Sequence, residues 1–161
     1  ASRTSNIVGF IRIGRLPPMD LLLGVGNDTN GDDGIGPWIA RHFSKKGWQS
    51  IDCFTVPENY TGEIKRLQPN HIIIVDAANM NLSPGAIRII PLDHIGKATF
   101  STHAMPLSIF IDYIHVPTEA AVTLIGIQPH SFKEMSQNVS KAGKRLLQLL
   151  QFGRIAELAQ L

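Results

Sequence analysis

From Met19 onward the apolar residues follow two patterns in alternation: short unbroken runs, and longer stretches in which they recur every three or four positions. Leu21, Leu22 and Leu23 form a run that reads as a strand buried on both faces, and a polar glycine-rich loop follows it. Ile35, Trp38, Ile39 and Phe43 then fall near one face of a helix. Residues 49–56 predict a second strand and residues 60–67 a second helix, which Pro69 stops because an interior proline breaks the hydrogen-bond ladder. Ile72-Ile73-Ile74-Val75 predicts a third strand, continuous and β-branched as in the middle of a covered sheet, ending at Asp76.

Residues 79–85 read as a loop, with Ser83-Pro84-Gly85 as its turn chemistry. The strand predicted at 86–91 follows too soon for a helical crossover, so it is expected to run antiparallel. Leu107, Phe110, Ile111 and Ile114 mark a third helix with Pro106 in its first turn, and residues 121–127 are the last strand. A final helix runs from about residue 136 past 150, with Val139, Ala142, Leu146 and Leu150 facing the core. The expected fold is a three-layer α/β/α sandwich around a mixed, mostly parallel five-stranded sheet, forming one domain over residues 19–161. Residues 1–18, closed by Pro17-Pro18, read as an N-terminal extension and a candidate for disorder.

Composition narrows the function classes. A chain of 161 residues with 43% hydrophobic content suits a single buried core. No run approaches the roughly 20 apolar residues of a membrane span, so no membrane partner is expected. The formal charge of +2 is more than accounted for by Arg3, Arg12 and Arg15 in the acid-free opening segment, which leaves no case for nucleic acid. Cys53 is the single cysteine, which excludes an intrachain disulfide and fits a reducing cytoplasm. It sits in an apolar run and reads as a buried structural residue.

Ligands of open α/β sheets bind beyond the carboxyl ends of the strands. Three segments fall there: the loop from Gly24 to Gly36, which carries Asp28, Asp32 and Asp33; Asp76; and Ser101-Thr102-His103. Each has an ordinary structural explanation, as a tight turn with a helix cap, a capping carboxylate, or a hydrogen-bonded loop histidine. A phosphate cradle is disfavoured, because three aspartates would repel a nucleotide and no Walker ending is present. Two carboxylates and one imidazole on converging loops instead suit a borderline metal such as nickel or zinc. His42, His71, His94, His115 and His130 have no comparable setting and read as structural or surface residues.

Five ordered motifs resemble the hydrogenase maturation protease family. They are Leu23-Gly24-Val25-Gly26-Asn27 with Gly31-Asp32-Asp33-Gly34-Ile35-Gly36, then Val56-Pro57-Glu58-Asn59, Val75-Asp76-Ala77, Ser101-Thr102-His103-Ala104-Met105-Pro106-Leu107 and Gly126-Ile127-Gln128-Pro129. The likeness spans about residues 19–150 and is greatest to the branch acting on hydrogenase 3 or formate-hydrogenlyase enzymes. Asn79 stands where relatives often have an acid, Asn81 where they often have glycine, and the segment after Pro129 looks shortened.

The resemblance implies an endopeptidase that removes the C-terminal extension of a nickel-iron hydrogenase large-subunit precursor after nickel insertion. It implies that Asp33, Asp76 and His103 are both the metal-recognising and the catalytic residues, with Asp33 at a place where some relatives carry Glu. The nickel would come with the substrate, and a surrogate divalent cation would be acceptable to the same donors. Hydrolysis through the metal and general-base chemistry by a carboxylate, as in aspartic proteases, both remain open. So does a maturation chaperone that binds nickel or the precursor without cutting it.

Overall fold

The computed structural model describes residues 19–101 and 105–161. The expected boundary after residue 18 and the whole of the N-terminal extension lie outside the described residues, as does His103.

Five strands follow the sheet path: β1 (Asp20–Gly24), β2 (Trp48–Asp52), β3 (His71–Asn79), β4 (Ile87–Ile90) and, last in the chain, β6 (Ala121–Ile127). A further two-residue strand, β5 (Thr99–Phe100), pairs only with β3. The order is β2-β1-β3-β6-β4, with β1, β2, β3 and β6 mutually parallel and β4 antiparallel to β6. Four α-helices connect the described strands: α1 (Ile35–His42), α2 (Thr61–Leu67), α3 (Leu107–Thr118) and α4 (Gln137–Gln151).

Successive residues of a strand point to opposite faces, and here both faces are apolar. Leu21, Leu23, Ile72, Ile74 and Leu124 pack on one side with Ile64 of α2 and Phe110, Ile111 and Ile114 of α3. Leu22, Ile73, Val75, Ile125 and Ile127 pack on the other with Ile35 and Ile39 of α1 and Val139, Leu146 and Leu150 of α4. This is the three-layer sandwich the unbroken apolar runs predict, and the antiparallel fourth strand is also as expected.

Two expectations need correction. β3 does not end at Asp76 but continues to Asn79, because the small residues Ala77 and Ala78 extend the pairing, first with β6 and then with β5. The sheet therefore has a sixth strand. Thr99 and Phe100 are too few to show a period, and they become a strand only because the end of β3 supplies a partner, Ala78 opposite Phe100 and Asn79 opposite Thr99.

The chain leaves β1 to build β2 on one side, then returns to build β3 on the other, so the strand order reverses at the β1 and β3 pair. At such a switch point the two connections diverge and leave a crevice at the carboxyl ends. The loop bearing Asp33 follows β1, and Asp76 comes directly after Val75, the β3 partner of Gly24 at the end of β1, so both belong to this end of the sheet.

Candidate active site

Glycine makes the crevice narrow. A side chain at Gly36 would put its Cβ 2.2 Å from the Val25 carbonyl oxygen and 2.5 Å from that of Val75, so only glycine lets α1 begin against the ends of β1 and β3. Gly26 has φ +147°, and a Cβ there would lie 1.9 Å from the Asp33 carbonyl oxygen. These two approaches fold the loop after β1 back on itself and seat a short 3-10 turn, Gly31–Gly34, over the strand ends.

That turn carries adjacent aspartates with different surroundings. Asp33 is 1% exposed; its Oδ2 accepts from the Asn27 N–H at 3.3 Å and its Oδ1 from the Ser101 hydroxyl. Asp32 accepts from the N–H groups of His130 (2.8 Å), Ser131 (2.7 Å) and Ser136 (2.6 Å), and from the Ser136 hydroxyl at 2.8 Å. Burial pushes the Asp32 carboxyl up, but these four hydrogen bonds to its charged form outweigh that and hold it below its ordinary value of 3.8. Asp32 is thus an ionised clamp joining the loop after β1 to the segment before α4. Sequence reasoning assigned it no such job, since its partners are about a hundred positions away and nothing local marks them.

Asp76 is fully buried, opposite Gly126 of β6 in the register. The strand alternation sets it on the same face as Ile74 and Ala78, the face covered by α2 and α3. The Val25 N–H donates to the Val75 carbonyl at 2.9 Å, which ties the start of the Asp33 loop to the residue before Asp76. His103 lies outside the described residues; Ser101, two positions earlier, is the residue that reaches Asp33. Among the described residues no three His, Cys, Asp or Glu side chains are gathered as metal donors.

Beside Asp33 opens a cavity of about 190 Å³ lined also by Ala77, Asn79, Ser101, Pro129 and Phe132. A second, of about 320 Å³, is lined by Phe100, Pro106 and Leu107. Thr99, Phe100 and Ser101 line both, so the short strand β5 and the residue after it separate them. Gln128, another residue given no individual role by sequence reasoning, is 7% exposed and accepts at Oε1 from the Met80 and Leu82 N–H groups, fastening the turn after β3. Cys53 is buried, and burial first, then nearby Asp52, Glu63 and Glu58, push its thiol far up, so it supplies no thiolate nucleophile.

Chemically, the crevice offers acceptor carboxylates in a water-poor setting at the carboxyl end of a parallel sheet. The sequence and fold match known proteins. A family profile described as hydrogenase maturation protease matches residues 37–151. The hydrogenase 3 maturation protease of Escherichia coli K12 is 39% identical over 139 residues, 82% of this chain and 88% of that protein. The solution structure of an Escherichia coli endopeptidase, HycI, superposes with a TM-score of 0.79 at 39% identity, covering 89% of this chain and 96% of that one. The crystal structure of a NiFe hydrogenase maturation protease from Thermococcus kodakarensis superposes with a TM-score of 0.75 at 29% identity, covering 92% and 98%.

Proposed function

This chain belongs to the hydrogenase maturation protease family, and on that premise we propose that it is an endopeptidase that removes the C-terminal extension of a nickel-iron hydrogenase large-subunit precursor. The structural observation that carries the reading is the buried Asp33 carboxylate, oriented by the Ser101 hydroxyl and the Asn27 N–H at the switch point of the sheet. A buried carboxylate held there, at the carboxyl ends of the strands, is positioned for a ligand.

The substrate brings its own nickel. Asp33, Asp76 and His103 offer two oxygen donors and one nitrogen donor, a set acceptable to nickel and to surrogate divalent cations. Recognition of the metal makes cleavage a checkpoint: a precursor lacking nickel cannot engage the donors and keeps its tail. Hydrolysis adds water across one peptide bond, leaving a new carboxylate on the large subunit and a new amine on the released tail. Asp33 or Asp76 takes the proton of the attacking water in the manner of aspartic peptidases; substrate-borne nickel held by Asp33, Asp76 and His103 would supply Lewis-acid polarisation of the scissile carbonyl.

No helix among the described residues is long and apolar enough to cross a membrane. We place the reaction in the cytoplasm, where the lone Cys53 stays reduced.

The test incubates the full chain with nickel-loaded and nickel-free precursor and follows the tail by mass spectrometry, beside Asp33→Asn and His103→Ala variants. Tail release from the nickel-loaded form alone, lost in both variants, is the expected result. Nickel-dependent binding with no cut in any precursor would replace the endopeptidase by a binding chaperone.

A further inference from the structure

The last helix, α4, contains no acidic residue, and Lys141, Lys144 and Arg145 are exposed along it. One stripe of the helix, spaced by three and four residues, lines two cavities. The first, of about 250 Å³, lies between Asn138, Lys141 and Arg145 and the turn at Gly85 and Ile87. The second, of about 390 Å³, runs from Arg145 to Leu149 and Phe152, with Arg154 and Glu157 also lining it. Arg145 borders both, so together they make one groove along α4, roughly 20 Å from Asn138 to Phe152 at the helical rise.

The groove is apolar at Ile87 and Leu149, both buried, and at Phe152, which is 74% exposed. Its one acid is already engaged: Glu157 accepts from Arg154 Nη2 at 2.9 Å and from Arg154 Nε. Lys141 and Arg145 have no ion-pair partner among the described residues, so two positive charges stay uncompensated. The patch is local. The formal +2 of the chain, less Arg3, Arg12 and Arg15, leaves −1 for residues 19–161. The fold thus presents no broad positive field to a long polyanion, and a short acidic segment of a protein is the complementary occupant.

The groove starts beside the crevice. Ser136, which holds Asp32 through its N–H and hydroxyl, is two positions before Asn138, and Asp32 adjoins Asp33. The Asn138 carbonyl oxygen would lie 2.7 Å from a Cβ on Gly85, so the turn before β4 packs on the first turn of α4. A protein whose tail enters the crevice therefore brings its neighbouring surface over α4.

We propose that the α4 groove is an exosite for the precursor, seating an acidic segment that lies outside the removed tail, with Lys141 and Arg145 facing its carboxylates and Phe152 an apolar neighbour. The assignment rests on the reading that the precursor enters the crevice beside Asp33. Charges at such a rim raise affinity and encounter rate and leave the chemical step alone, and salt screens them.

The experiment measures kcat and KM for tail release from nickel-loaded precursor, and Kd by calorimetry, at low and high salt. Arg145→Glu and Lys141→Glu should each raise KM and Kd by about tenfold at low salt, with kcat within about twofold of wild type and a flatter salt dependence. Arg145→Gln, which removes the charge without reversing it, should give a smaller rise. Lys65→Glu makes the same charge change on α2, across the sheet from α4, and should leave KM and Kd as they are. Wild-type KM and Kd in both glutamate variants of α4 would overturn the exosite and leave the cleavage reading standing, and so would an equal rise in Lys65→Glu. Wild-type binding without cleavage would sink the endopeptidase reading alone, since the Kd values still decide the groove. Failure of the wild-type chain to bind any nickel-loaded precursor would overturn both.

Discussion

The Asp32 carboxylate takes both the N–H of Ser136, at 2.6 Å, and its hydroxyl, at 2.8 Å. Ser136 is also the N-cap of α4, its side chain accepting from the Val139 N–H at 3.4 Å. One aspartate in the loop after β1 thereby fixes the start of the last helix.

Replacing Asp32 with Asn should cost about 3 kcal/mol of stability, because the new NH2 group faces buried donors and leaves them unpaired. Urea unfolding at neutral pH measures the loss. A cost below about 0.5 kcal/mol would mean that the clamp contributes little.

Gly36→Ala should destabilise the chain by about 3 kcal/mol through overpacking, since the added methyl meets two backbone carbonyls that cannot move aside. Gly62, whose added Cβ meets nothing within 4 Å, is the control: Gly62→Ala on α2 should be stabilising or neutral. Thermal melts of the two variants compare them directly.

Ser101→Ala should lower the rate of tail release by about tenfold, the worth of one hydrogen bond to a charged group, without a matching loss of melting temperature. Ser101→Thr retains the hydroxyl and should restore most of the rate. Equal loss in both variants would show that the hydroxyl is not what matters.

His71 contributes a pH dependence in the weakly acidic range. Its Nε2 lies 2.8 Å from Thr123 Oγ1, and burial lowers its pKa below the ordinary 6.5, with Asp20 opposing weakly. The unfolded chain therefore binds the proton more readily, and stability falls as the pH drops from 6.5 toward the folded-state pKa. His71→Gln should flatten this part of the stability profile in urea titrations between pH 7 and 5. An unchanged slope would place the dependence elsewhere.

Much of the fold was legible because strand and helix periods are local. The run from Leu21 to Leu23 and the stripe of Leu107, Phe110, Ile111 and Ile114 announce their elements within a few residues, and the structure places both in the core. Asp33 was visible as a carboxylate in a glycine-rich loop after a strand, and the structure brings it to the sheet's switch point. β5 was invisible, because two residues have no pattern and its pairing belongs to the end of β3. The extension of β3 was equally hidden, because Ala77 and Ala78 have little strand preference of their own.

The sequence by itself determined the layers, the element order and the neighbourhood in which chemistry would be found, since each follows from residue types a few positions apart. Tertiary structure alone decided which aspartate of the Asp32-Asp33 pair became the clamp and which lines the cavity. It alone decided which way the Asn79 amide turns, through Gln128 on a different strand end. Those outcomes depend on donors brought in from distant parts of the chain, and a hydrogen bond across the sheet leaves no trace in the local pattern of either partner.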